Sequence, residues 1–100
     1  MRMMLRASLD TEAANKAIKD GSLGTTLKGL MEELKPEAAY FATSPCGQRQ
    51  ITLVFDMKDT VQIPSVCEPL FMTLKAEVQL TPVMNAQDLE KGLAAWAKKQ

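Results

Sequence analysis

Residues 50–57, QITLVFDM, constrain this chain more than any other stretch. Ile51, Leu53 and Phe55 alternate with Thr52, Val54 and Asp56. A period of two is the signature of a β-strand with one buried side. One side is fully apolar and the other is mixed. Such a strand belongs in an antiparallel sheet covered on one face only. The rest of the chain must therefore supply partner strands and one layer of helices.

Two more segments show the same period. In MRMMLRASL, Met3, Leu5, Ala7 and Leu9 share a side, opposite Met4, Arg6 and Ser8. In KAEVQLTPV, Ala76, Val78 and Leu80 oppose Glu77 and Gln79. EAAYFAT, before the SPCGQR turn, completes a hairpin with QITLVFDM. Its alanines are weak strand formers, so its parity stays open and either Tyr40 or Phe41 can face the mixed side.

Helical periods lie between these strands. Asp10 or Thr11 can cap EAANKAIKD. GSLG, residues 21–24, breaks that helix, and Ser22 is placed to cap a second segment. There Leu27, Leu30, Met31 and Leu34 form a stripe that Pro36 ends. DTVQIPSVCEPLFMTL reads as a helix with Pro64 in its first turn, and Pro69 should kink or restart it. Asn85 caps a last helix, with Asp88 complementing its dipole and Leu89, Leu93 and Trp96 as its apolar stripe. Trp96 should anchor that helix to its own domain or to a partner subunit.

The order is strand, helix, strand, strand, helix, strand, helix. Its first six elements are the split β-α-β pattern, so the expected fold is a ferredoxin-like α+β domain over residues 1–100, with a C-terminal helix. Right-handed crossovers place both main helices on one face and make the first and third strands central neighbours. Leu5, Leu53, Phe55, Val78 and Leu80 then meet the helices. Met4, Arg6, Ser8, Thr52, Val54, Glu77, Gln79 and Thr81 lie on the uncovered face.

Composition narrows the chemistry. Twelve basic and twelve acidic residues give zero net charge, so no general attraction to nucleic acid or anionic membrane is expected. The chain has no histidine, the usual imidazole base and the commonest metal ligand. Its two cysteines, Cys46 and Cys67, match no metal-site spacing. Neither a metal nor a cofactor is expected. The first ten residues carry Arg2 and Arg6 and no continuous apolar core, so a cytoplasmic protein with reduced thiols is expected.

The layout resembles the dimeric α+β barrel superfamily, which includes GYD-type, YCII-like and muconolactone-isomerase-like domains. AEVQLTPVMNAQDLEKGL, with CEPLF before it, is also similar to small bacterial proteins of unassigned function. The resemblance implies a homodimer in which two open sheet faces enclose a cleft. Arg6, Tyr40, Thr52, Val54, Glu77 and Gln79 are the candidates to line it. Arg6 can bridge Glu77 or Gln79 across strands, or hold the anion of a small ligand. Glu77, if desolvated, can act as a base of raised pKa. The expected function is a small-molecule-binding or structural dimeric module. The alternative is a cofactor-independent isomerase or monooxygenase-like enzyme in the same cleft, although no nucleophile, base and orienting group can be assembled.

GSLGTTLKGL supports a third reading. It resembles the GXXG loop of KH domains, with Gly21, Gly24 and Leu27 at matching positions, which implies RNA binding through residues 21–24. Ser22 and Leu23 stand where that family carries basic residues, with Lys19 and Lys28 nearby. Cys46 sits in a turn near Arg49, which would favour its thiolate, and Cys67 reads as a small core residue.

Overall fold

The computed structural model describes all of residues 1–100. Four strands, β1 (Arg2–Ser8), β2 (Ala38–Thr43), β3 (Arg49–Asp56) and β4 (Glu77–Pro82), form one antiparallel sheet in the order β2-β3-β1-β4. Helices α1 (Thr11–Asp20) and α2 (Ser22–Leu34) connect β1 to β2. A short 3-10 turn (Thr60–Gln62) and α3 (Ile63–Leu74) connect β3 to β4, and α4 (Ala86–Ala97) follows. This is the ferredoxin-like α+β fold that the order of periods implied.

The alternation in the sequence decides which sheet face is covered. Met3, Leu5, Ala7, Ile51, Leu53 and Phe55 are buried against the helix layer. Leu30 and Leu34 of α2 and Val66, Cys67, Leu70 and Leu74 of α3 meet them. Val78 and Leu80 of β4 are half-buried against the same core. No buried polar side-chain atom lacks a hydrogen-bond partner, so this core has no polar defect to accommodate.

The caps explain where the helices begin and end. Asp10 accepts the Ala13 N–H and starts α1. Gly21, at φ 84°, ends α1 and starts α2, a left-handed backbone that glycine adopts without a Cβ clash. Ser22 is therefore the first residue of α2 and not its cap, contrary to the sequence reading. Its N–H is held by the Asp20 carboxylate. In the β2–β3 hairpin, Gly47 at φ 80° takes the corresponding turn position, and its N–H donates to the Ser44 carbonyl.

Pro69 does not restart the helix: α3 is one element from Ile63 to Leu74 that runs through it. Pro69 is exposed, and its missing N–H deprives only the Ser65 carbonyl of its helical partner. Val66, Cys67, Leu70 and Leu74 are buried on both sides of it and hold the backbone on the sheet.

The last helix departs from the rest. All twelve residues of α4 are exposed, including Leu89, Leu93 and Trp96. Trp96, with 60% of its surface exposed, does not anchor the helix to its own domain. The radius of gyration is 16.0 Å, against about 13 Å for a compact chain of this length. The molecule measures 56 × 28 × 18 Å because α4 stands away from the body.

Candidate functional site

Strand register turns the open sheet face into a grid. Arg6 pairs with Thr52 on one side and Gln79 on the other, and Thr52 pairs with Tyr40. One row across the sheet is therefore Tyr40, Thr52, Arg6 and Gln79. At about 4.8 Å between strands, it spans about 14 Å. The row towards the start of β1 holds Ala38, Val54, Met4 and Thr81, and the opposite row holds Ala42, Gln50, Ser8 and Glu77. All six sequence-derived candidates share this face, four of them in one row.

The open question of parity is answered by β2. Tyr40 lies opposite Thr52 and faces the uncovered side, with 68% of its surface exposed. Phe41 lies opposite Ile51 and faces the helix side. Tyr40 and Gln79 thus bound the row on the two edge strands, with the Arg6 guanidinium inside it.

The proposed cross-strand bridges do not form. Arg6 makes no ion pair with Glu77; the ion pairs of the chain involve Met1, Arg2 and Lys58. Glu77 lies opposite Ser8, one row away from Arg6. Gln79 is directly opposite Arg6, yet their side chains share no hydrogen bond. Glu77 is exposed, so nothing in the single chain desolvates its carboxylate. The result is a row of side-chain donors and acceptors facing water, with one unneutralised cation near its centre.

One end of the face is fixed by charge. Arg2 Nε donates to Glu37 at 2.6 Å, and its Nη1 donates to Asp88 at 3.1 Å. Glu37 and Asp88 together hold the Arg2 guanidinium above its ordinary pKa, with Glu37 the larger influence. Asp88 also accepts the Asn85 N–H, while Asn85 accepts the Asp88 N–H, a reciprocal cap. Arg2 therefore ties the first turn of α4 to the sheet and to the residue preceding β2. The sequence hinted at this only through Asp88 as a first-turn acid; its long-range partner had no local signal.

Two hollows of the surface are lined by residues outside the central row. One of about 420 Å³ is ringed by Met1, Arg2, Glu37, Asp56, Val83 and Asp88. Another of about 380 Å³ is apolar and lined by Leu9, Ile18, Leu23, Leu27 and Phe41 among others, on the helix side. No group of three or more His, Cys, Asp or Glu side chains comes together as a metal site.

The glycine pair at 21–24 does not form an open loop. Gly24 lies inside α2, and Thr25 donates its N–H to the Gly21 carbonyl. The backbone of residues 22–24 is committed to a helix. The two cysteines separate as their surroundings dictate: Cys46 is exposed, while Cys67 is buried and its thiol is pushed up by burial and by Glu68. Arg49 donates to Asn15 at 3.0 Å, away from the turn where it was expected to support Cys46.

No helix is long and apolar enough to cross a membrane. The chain matches no protein-family model, and no curated protein matches its sequence.

Proposed function

We propose that this chain is a homodimeric binding module. Two copies bring their open sheet faces together and enclose a cleft for a small molecule carrying an anionic group. The observation that carries this reading is the row Tyr40, Thr52, Arg6 and Gln79, with Arg6 unpaired at its interior. A second sheet over this row would exclude water and strengthen the attraction between Arg6 and an anion. A guanidinium enclosed without an anion is costly to desolvate, so the cleft favours a ligand that neutralises it. Tyr40 supplies a hydroxyl and an aromatic surface at the rim, and Thr52 and Gln79 supply further polar contacts.

Benzoate, an aromatic carboxylate, is a suitable probe. Thermal denaturation of the wild type with benzoate should show a rise in Tm that increases with its concentration. Arg6→Gln should fold normally and lose that rise. A wild type indifferent to benzoate and to other small carboxylates would leave the face as a purely structural dimer surface. The dimer itself is checked by light scattering, with Val54→Asp expected to yield a folded monomer.

A further inference from the structure

Helix α4 is an amphipathic helix with nothing packed against it. Leu89, Leu93 and Trp96 follow at helical spacing, and each leaves about half or more of its surface in water. Its links to the body are confined to its root. Val83 N–H donates to the Arg2 carbonyl, and Asp88 accepts from Arg2. Beyond the first turn, every hydrogen bond of α4 lies within the helix and its C-terminal end. A helix of 12 residues is marginal in water without tertiary packing, since isolated helices shorter than about 12–15 residues barely persist.

We infer that α4 is an arm that packs its Leu89–Leu93–Trp96 stripe on a second copy of this chain. The inference rests on the homodimer reading above and adds a second element to its interface. The surface area supports this occupant. A compact monomer of 11.0 kDa exposes about 5,600 Å² by the scaling for folded monomers. This chain exposes 6881 Å². The excess is about 1,300 Å² per chain, or about 2,600 Å² for two, which lies in the range of permanent homodimers.

Charge points the same way. The chain is neutral overall, so a second copy is not repelled. The helix and its C-terminal end carry Asp88, Glu90, Lys91, Lys98 and Lys99, charges of both signs. A helix lying on an anionic membrane would instead concentrate cations on its polar side. The Arg2–Asp88 contact sets the root of α4 at one end of the open face. A copy seated on that face thus lies beside the root of the arm.

The chain contains a single tryptophan, and it is on this stripe. Its emission therefore reads the environment of α4 alone. The experiment records Trp96 emission and solution mass across a dilution series, for the full-length wild type, Val54→Asp and the double variant Leu89→Ser, Leu93→Ser. The expected result is a dimer with blue-shifted emission that moves to the red on dilution together with the mass. The double variant should show red emission and dissociate at ten-fold or more higher concentration. Both its positions are exposed, so its far-UV circular dichroism should keep the β-sheet signal.

A dimer whose emission stays that of a solvated indole would overturn the arm and leave the sheet-face dimer standing. A concentration-dependent blue shift that survives in a dimeric Val54→Asp would uphold the arm and overturn the sheet-face contact. A monomer at every concentration, with buried or exposed tryptophan, would overturn both.

Discussion

Two lysines occupy a backbone conformation that suits glycine. Lys35 and Lys75 end α2 and α3 at φ 45° and φ 46°. Each satisfies the helix end through its own N–H, Lys35 to the Met31 carbonyl and Lys75 to those of Leu70 and Phe71. A side chain in this left-handed region costs about 1–2 kcal/mol, because its Cβ crowds the neighbouring carbonyl. Glycine relieves that crowding and keeps the N–H, at some loss of unfolded-state entropy. Lys75→Gly should stabilise the fold by up to about 1 kcal/mol, raising Tm by roughly 4–8 °C. Thermal unfolding followed by circular dichroism checks it; a lower Tm would mean that Lys75 has a stabilising role beyond the cap.

Asp56 makes a second residue-scale prediction. Its carboxyl is held down from an ordinary 3.8 to about 2, first by Lys58 and then by the Met1 ammonium. A depressed carboxyl contributes stability that is present above its ordinary pKa and is lost as pH falls through the depressed value. Asp56→Asn should therefore flatten the fall of Tm between about pH 4 and about pH 2. Above that window the variant should be the less stable of the two. The group is exposed, so the effect should shrink in high salt.

At the scale of elements, β3 gives the clearest test of parity. Leu53 is 1% exposed and packed under the helices, whereas Thr52 is half-buried on the open face. Leu53→Asp should abolish folding, because a carboxylate in that core has no partner. Thr52→Asp should leave a folded chain with native circular dichroism. The opposite outcome would invert the strand. This parity was legible in the sequence because Ile51, Leu53 and Phe55 contrast with their neighbours. That of β2 was not, since AAYFAT offers no such contrast, and pairing with β3 decides it. The Arg6–Glu77 bridge failed for a related reason: alternation placed both residues on one face, but only register shows them a row apart. Pro69 does not restart α3 because the four buried residues around it, Val66, Cys67, Leu70 and Leu74, hold both halves against the core. The stripe of α4 was plain in its spacing, but an amphipathic pattern says only that something covers it.

For the whole molecule, folding and covering are separate matters. The body is a complete ferredoxin-like layer pair, with its helices on one sheet face and a satisfied core. Everything left unfinished lies outside it: the open face with its Arg6 row, and the arm that follows β4. On the reading developed above, assembly closes both at once. Weakening the sheet contact through Val54→Asp should then also loosen α4, and light scattering together with Trp96 emission reads the two events separately.

The placement of the aromatic residues has a practical consequence. Trp96 and the lone tyrosine, Tyr40, are the chain's strong near-ultraviolet chromophores, and both sit on uncovered surface, with Phe55 the buried aromatic of the core. For the folded monomer expected of Val54→Asp, a denaturation curve followed by intrinsic fluorescence would thus be nearly blind to the melting of the hydrophobic interior. Far-ultraviolet ellipticity would follow that melting directly. The two curves would fail to superimpose, and the mismatch would mimic a folding intermediate even where the body unfolds in a single cooperative step.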